Sequence, residues 1–274
     1  MKEDPSASPH AAPKVIHDFR TQARRIGIVA KLCRDQKSRI KSTVVSALES
    51  KKIEATRRAC GPVREIDVLL DLIESRHSEW FSRSTDAECH QMMSWLHKLR
   101  EQAESAIIKS WNPHEELPKA QKVASTTTNR LQALSKEERL RVLGSLNHLL
   151  TEAAKLGNAK HLTSKQLHRV RRRIRDCRYA IETLSIVGWI PVDAHLVKTL
   201  RKMQTKLGTF TDIEASKKVV EKLRGDSPNS AIQKSLETLS RNLKQERQVH
   251  IDHLRDVVPE WSRKLRKWSK AFPN

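Results

Sequence analysis

The segment Leu167–Arg175 reads LHRVRRRIR, and 151 residues earlier the segment Ile16–Arg24 reads IHDFRTQAR. Both follow the order apolar, His, any, apolar, Arg, any, any, apolar, Arg. In an α-helix, with about 100° of rotation per residue, this order places the histidine and both arginines on one stripe and the apolar residues on an adjoining stripe. The pattern therefore predicts two amphipathic helices, each packed on one side and cationic on the other.

The charge of the whole chain agrees with this pattern. Among its 274 residues, 53 are Lys or Arg and 32 are Asp or Glu, which leaves a formal net charge of +21. Such an excess predicts an anionic partner and says nothing about the fold. The partner classes left open by charge alone are nucleic acid, a phosphate polymer and an acidic membrane surface.

The composition favours an all-α protein, because only 7 residues are Gly, one is Tyr, and strong helix formers dominate. Glycine and proline supply the expected breaks, and Pro62 lies where it favours a helix start. The predicted helices are Pro13–Asp35, Ser38–Cys60, one beginning after Gly61, Asp86–Trp111, Pro118–Leu134, Lys136–Leu156, Ser164–Val187, Pro191–Leu207, Thr211–Leu223, Asn229–Val257 and Pro259–Phe272.

The organisation along the chain suggests a repeat of two related antiparallel helical bundles. Residues 1–13 are polar and proline-rich, lack the apolar core of a secretory signal, and are predicted to be a disordered lead-in. Gly157 and Asn158 break the helical pattern, which divides the rest into bundles at 14–157 and 158–274. Each His helix is followed by a second helix, a glycine and then an acid, at Gly61 with Glu65 and at Gly208 with Asp212.

Acidic residues near these motifs are predicted to have structural roles. Glu65, Asp67 and Asp212 are expected in the first turn of a helix, where unpaired N–H groups and the helix dipole favour negative charge. They are also placed to orient an arginine of the basic stripes. Glu182 follows Arg178 by four residues, so the two side chains are expected to pair on one helix face.

Several features indicate a soluble protein of the cytoplasm. The most apolar run, Leu184–Val192, is far shorter than the roughly 18 residues of a membrane-spanning helix. The four cysteines are scattered and form no CxxC motif, so reduced, buried thiols are expected at Cys33, Cys60, Cys89 and Cys177.

Four elements of the sequence, in order, resemble the CHAD domain family of histidine-containing α-helical domains. They are the His helix His17–Arg25, the segment Gly61–Asp67, the second His helix His168–Tyr179 with Glu182, and Leu207 with Gly208 and Asp212. The resemblance runs from about Lys14 to the C-terminus. It implies two helical bundles around a basic central pore or groove that binds inorganic polyphosphate without catalysis or cofactor. A cytoplasmic location in association with polyphosphate granules is a further expectation.

Two residues depart from the pattern of that family. Gly27 stands where the first His helix would supply a basic residue equivalent to Arg178, so the first bundle is expected to bind less strongly than the second. Glu65 replaces the usual Asp and preserves the charge.

Phosphate suits these side chains on chemical grounds. An arginine donates two N–H groups to two phosphate oxygens at once, and histidine adds a donor whose charge changes near neutral pH. Arginines one turn apart are spaced by about 5.4 Å along the helix, so each can contact a different phosphate of an extended chain. The residues predicted to bind polyphosphate are His17, Arg20, Arg24, Arg25, Lys31, Arg57, Arg58, Arg64, His168, Arg171, Arg172, Arg175, Arg178, Arg201, Lys202 and Lys206.

Three alternatives remain open at this point. A nucleic-acid-binding helical protein would share the charge, although the aromatic residues do not alternate with the basic stripes as base-stacking platforms would. A metal-dependent phosphohydrolase would need carboxylates and metal ligands, whereas the sequence carries no recognised catalytic motif and predicts no metal site. A helical scaffold that docks an acidic protein is the third alternative, and its partner is unknown.

Overall fold

The computed structural model of the chain describes residues 13–33, 47–108, 113–158, 162–191 and 193–272, and these residues form helices and turns without a strand. The all-α prediction is therefore confirmed. The helices are α1 (Pro13–Leu32), α2 (Ala47–Ala59), α3 (Gly61–Trp80), α4 (Asp86–Ile108), α5 (Pro113–Gln132), α6 (Lys136–Gly157), α7 (Ser164–Ile186), α8 (Ala194–Leu223) and α9 (Ser230–Ser269), with a 3₁₀ turn at Arg83–Thr85 between α3 and α4. The predicted lead-in before Pro13 and the predicted start of the second helix at Ser38 lie outside the described residues.

Local signals explain where several helices begin and end. Pro62 lies in the first turn of α3, where its missing N–H costs nothing. Thr163 caps α7: its hydroxyl accepts from the N–H of Gln166 at 3.3 Å, and the Gln166 side chain accepts from the N–H of Thr163 at 2.8 Å. After α7 the chain turns at Gly188, whose φ of +74° lies in the left-handed region that glycine adopts without strain.

Two predicted breaks are wrong, because α8 and α9 are each continuous. Gly208 lies inside α8, where the completely buried Leu207 and Phe210 hold the helix together across it. Pro259 lies inside α9 between the buried residues Val258 and Trp261. A single glycine or proline costs a helix about 1 or 3 kcal/mol, which burial of several large apolar side chains offsets.

The chain forms two compact units that are not contiguous in sequence. Unit 1 comprises the described residues within 1–23, 53–121 and 215–243, and unit 2 comprises those within 24–52, 122–214 and 244–274. Every division between them falls inside a helix. Helices α6 and α7 lie on either side of the predicted boundary at residue 157, yet both belong to unit 2 and pack against each other. The units thus differ from the predicted halves 14–157 and 158–274, and the internal repeat stays a prediction.

Each unit has its own buried apolar side chains. In unit 1 a core cluster includes Ile16 and Phe19 of α1 and Val63 of α3. In unit 2 the apolar faces of α6 and α7 are buried, and Leu146 and Ile174 have no exposed surface. Amphipathic helices of this kind are stabilised mainly by such burial.

The cysteine prediction is confirmed, since all four thiols are free and buried. Burial raises the pKa of Cys33, Cys60 and Cys89 to about 11, so these thiols stay protonated at neutral pH. Among the described residues, no helix combines the length and the apolar character needed to cross a bilayer.

Two glycine substitutions within unit 2 test how α6 and α8 are packed. A Cβ at Gly157 would overlap Oγ of the buried Ser262 and lie 3.0 Å from Cγ1 of Val258, whereas a Cβ at Gly208 meets nothing within 4 Å. We expect Gly157→Ala to lower the free energy of unfolding by about 1–3 kcal/mol because of this overlap. Gly208→Ala should raise it by about 0.5–1 kcal/mol because alanine favours the helix. Urea unfolding measures both, and equal effects would contradict the packing described here.

Candidate anion-binding site

Helix α7 carries a row of basic side chains on one face. His168, Arg171, Arg175 and Arg178 are half-buried and follow each other at spacings of three, four and three residues, which keeps them on one side of the helix. The adjoining side of the helix is anchored in the core of unit 2. There Val170, Ile174, Cys177 and Ile181 are at most 1% exposed. We call His168, Arg171, Arg175 and Arg178 the basic row.

The first half of the basic row is positioned by α8. The imidazole of His168 lies against the fully buried ring of Phe210, with ring centroids 5.7 Å apart. Burial lowers the pKa of the Arg171 guanidinium, and the nearby carboxylate of Asp212 opposes that shift. Asp212 therefore does not cap a helix start, as the sequence predicted, because it lies in the middle of the continuous α8. Its second predicted role, as the acid that faces an arginine of the stripe, agrees with its position.

The second half of the basic row ends in a cluster around one carboxylate. Glu182, whose side chain is 11% exposed, lies 3.7 Å from Arg178, 3.3 Å from Arg25 and 3.0 Å from Arg201. The Tyr179 ring lies under two of these guanidiniums, with its centroid 4.5 Å from Cζ of Arg178 and 5.6 Å from Cζ of Arg25. Three cations share one acid, so the cluster is ordered and keeps an excess of positive charge. The predicted pairing of Arg178 with Glu182 is confirmed.

An adjoining face of α7 opens into a cavity of about 530 Å³. Its wall carries six basic and two acidic side chains, and most of the residues come from α7. Asp176 lies 2.8 Å from Arg175 and 3.7 Å from Lys31, and Glu152 of α6 lies 2.9 Å from Arg173. The lining residues are Lys31, Glu152, Lys155, Leu156, Arg169, Arg172, Arg173, Arg175 and Asp176. We call this cavity the basic pocket, and Arg175 belongs to both the pocket and the basic row.

Three residues of the basic pocket were missed by the sequence analysis, namely Lys155, Arg169 and Arg173. Arg169, Arg172 and Arg173 recur at the three- and four-residue spacing of one helix face, which is a signal the sequence contained. Lys155 lies on α6 and is brought to the pocket by the packing of α6 on α7. That placement depends on tertiary structure, which the pattern of the repeated motif does not encode.

The predicted residues of unit 1 are engaged in contacts of their own. Arg20 donates from Nη1 to the backbone oxygen of Arg57 at 2.7 Å, and its burial, together with the neighbouring charge of Arg57, lowers its pKa. Arg57 and Arg58 both pair with Glu54, at 2.6 Å and 3.1 Å. The hydrogen bond from Arg57 holds the pKa of Glu54 at about 2. Arg64 lies 3.7 Å from Asp71.

The acids that follow Gly61 also differ from expectation, because α3 begins at Gly61 and places Glu65 and Asp67 beyond its first turn. Glu65 is exposed. Asp67 is 3% exposed and accepts from Nε of Arg100 at 2.7 Å, while Arg100 also donates to the buried Glu104 at 2.9 Å. Asp67 thus belongs to a buried ion-pair network of unit 1.

The remaining predicted residues lie at different depths. Arg24 is half-buried in unit 2, and His17 is exposed on α1. Arg201, Lys202 and Lys206 are exposed on α8. Of these three, Arg201 reaches Glu182, and Nζ of Lys206 lies 2.8 Å from Nε2 of His253. The structure thus brings Arg25, Arg178 and Arg201 together around Glu182, and Lys31, Arg172 and Arg175 together in the basic pocket.

Comparison with known proteins identifies the class of this helical fold. The family model described as the CHAD domain matches residues 2–221, so the chain belongs to the CHAD domain family. The crystal structure of the CHAD domain from the plant Ricinus communis is similar, with a TM-score of 0.64 and 17% sequence identity over 90% of this chain and 82% of that chain. At that identity the likeness concerns the fold. No curated protein matches the chain at a significant level.

Arg20 provides a test of the contacts in unit 1. Replacing it by methionine removes a charged donor from the backbone oxygen of Arg57, and we expect the free energy of unfolding to fall by about 1–2 kcal/mol. Arg58→Met is the matched control, because the Arg58 side chain is 76% exposed and its pair with Glu54 is screened by water. That variant should change stability by less than about 0.5 kcal/mol. A stability of Arg20→Met equal to that of the control would show that the Arg20 hydrogen bond contributes nothing.

Proposed function

We propose that the protein binds inorganic polyphosphate without cleaving it, through the basic row and the basic pocket of α7. The observation that carries this proposal is the continuity of the two sites. Arg175 belongs to both, so basic side chains follow α7 from His168 to Arg178 and also line the neighbouring cavity. A polymeric anion can occupy such an extended surface, whereas a single phosphate would use a small part of it.

The order of these side chains favours tight binding. Arg178 and Arg25 are held against Tyr179 and Glu182, so little rotamer entropy is lost when they bind phosphate. Half-burial of the basic row lowers the local dielectric and strengthens each charge-assisted hydrogen bond. Binding to several phosphates also releases condensed counterions, which adds an entropic gain that depends on salt.

Membership of the CHAD domain family supports polyphosphate as the anion, because polyphosphate is the ligand implied by the resemblance of the two His helices and the glycine segments to that family. The pore between two bundles that the resemblance also implies stays a prediction. The absence of catalysis is supported by the carboxylates near the site. Glu182, Asp176 and Glu152 each pair with basic side chains, an arrangement that orients cations and leaves these acids poorly suited to bind catalytic metal ions.

Substitution of the basic row tests the site. We expect the triple variant Arg171→Gln, Arg175→Gln, Arg178→Gln to bind polyphosphate about 10- to 100-fold more weakly, a loss of roughly 1.4–2.8 kcal/mol. The matched control replaces three exposed cations at the end of α9, as Arg263→Gln, Arg266→Gln and Lys267→Gln. This control has the same net charge as the triple variant of the basic row. Its affinity for polyphosphate should fall by less than about threefold, or roughly 0.7 kcal/mol. Equal losses in a titration with labelled polyphosphate would mean that net charge, and not this site, governs binding.

The two copies of the His motif should contribute unequally. Arg20 is committed to the backbone of α2, and Gly27 replaces the basic residue that corresponds to Arg178. We therefore expect Arg20→Gln with Arg24→Gln to weaken binding less than Arg171→Gln with Arg175→Gln in the same titration. A larger loss from the pair on α1 would contradict the assignment of α7 as the main binding helix.

Competition distinguishes polyphosphate from the alternative partners. With the labelled polymer bound, unlabelled long-chain polyphosphate should displace it at a lower phosphate concentration than single-stranded DNA or RNA, and short chains should compete less well. The slope of log affinity against log salt should fall in magnitude by about 1 for each phosphate contact removed from the basic row. Preference for nucleic acid would support the nucleic-acid alternative. Release of phosphate after addition of magnesium or manganese would support the hydrolase.

A further inference from the structure

A second cluster of functional side chains lies in unit 1, where α3 turns into α4. His77 is in the last turn of α3, Asp86 is the first residue of α4, and His90 follows one turn later. The helices are joined by the turn at Arg83–Thr85, in which Ser82 and Thr85 cap each other's backbone. This connection brings two imidazoles and one carboxylate to the same place.

The three side chains have the spacing of metal ligands. One ligand atom from each of His77, Asp86 and His90 lies within 4.8 Å of the other two. Nε2 of His77 is 3.2 Å from Oδ1 of Asp86, and Nδ1 of His90 is 3.5 Å from Oδ2 of the same carboxylate. In a tetrahedral zinc site with bonds of about 2.0–2.1 Å, ligand atoms are separated by roughly 3.3 Å. The distances from the two imidazoles to the Asp86 carboxylate are close to that separation.

One nitrogen of the His77 imidazole is buried and lacks a hydrogen bond. Its Nε2 atom makes none to any described residue, although Oδ1 of Asp86 lies 3.2 Å away as an ion-pair partner. A buried polar atom without a hydrogen bond is costly, and coordination of a cation shared with Asp86 would satisfy it. Nδ1 of His90 lies 2.8 Å from the backbone oxygen of Asp86, a contact that metal coordination would replace.

The backbone around His77 is well anchored. The N–H of Phe81 donates to the backbone oxygen of His77 at 2.9 Å, and the centroids of the Phe81 ring and the imidazole are 5.7 Å apart. Nδ2 of Asn242 donates to the backbone oxygen of the buried Trp80 at 3.2 Å. The backbone at His77 is thus held in place by these contacts. The side chains of Asp86 and His90 are more exposed and have room to change their rotamers.

We propose that His77, Asp86 and His90 form a Zn²⁺-binding site that ties α3 to α4. Two imidazoles and one carboxylate suit zinc, whereas magnesium and calcium prefer oxygen ligands alone. Three protein ligands leave a fourth position for water. No metal site was predicted from the sequence, and these residues belong to neither the basic row nor the basic pocket. The proposal of a zinc site is therefore independent of the proposal of polyphosphate binding, and the failure of one would not affect the other.

Calorimetric titration of the whole 274-residue chain with ZnCl₂ tests the site. We expect one zinc equivalent to bind more tightly than the background of other histidines. His77→Leu and His90→Ala should each weaken that event at least tenfold. The matched control is His97→Ala, which removes an exposed histidine of the same helix α4 and should leave the tight event unchanged. Unchanged stoichiometry and affinity in both ligand variants would overturn the proposal.

Two further measurements cover the case in which His77→Leu does not fold. The His90 side chain is 68% exposed, so its truncation should leave the fold intact, and this variant then decides the outcome. Zinc should raise the melting temperature of the wild-type protein and of His97→Ala but not of His90→Ala. Cobalt(II) should show the intense visible bands of tetrahedral coordination in the wild type and lose them in His90→Ala. Identical shifts and spectra in the wild type and His90→Ala would refute the site.

Discussion

Burial of the apolar face of α7 in unit 2 is the constraint on which the candidate binding site depends. Val170, Ile174 and Cys177 are fixed in the core, so the direction of each basic side chain on the helix is set by the helical rotation. The favourable free energy of that burial offsets the electrostatic repulsion among these cations. A sequence with the same arginines on an unpacked segment would spread them apart and would have to reorder them at each binding event.

Carboxylates are outnumbered by basic side chains in this chain, 32 to 53, and several of them lie where cations converge. Glu182 joins three arginines, Asp176 joins Arg175 and Lys31, and Glu54 joins Arg57 and Arg58. Each acid reduces repulsion locally without cancelling the surrounding positive charge. Such pairs stabilise the fold only modestly where they are exposed, so their larger contribution here is to fix the position of the guanidiniums.

The sequence was sufficient for local features and insufficient for those that depend on packing. The start of α3 near Pro62 was predicted, and the Thr163 cap of α7 likewise follows from side-chain chemistry within a few residues. The continuity of α8 through Gly208 was not, because the burial of Leu207 and Phe210 outweighs the weak helix propensity of glycine.

The sites show the same division between local and tertiary information. The basic row follows from helical spacing alone, whereas the basic pocket also needs Lys155 from α6. The cluster of His77, Asp86 and His90 is formed by two helices across a turn, and its spacing in sequence matches no familiar metal motif. Pairs of residues on one helix can be read from periodicity, but a site built from two helices requires the angle between them.

The two His motifs, alike in sequence, differ in what surrounds them. The copy on α7 lies wholly within unit 2, whereas the division between the units cuts the copy on α1 between Ala23 and Arg24. Arg20 is consequently fixed by the backbone of α2 in unit 1, while Arg25 and Lys31, farther along α1, meet Glu182 and Asp176 of α7 in unit 2. Part of the first motif thus supports unit 1, and the residues after it reinforce the face of α7. Repetition of a motif in sequence need not mean repetition of its role, because the role is set by the core against which each copy packs.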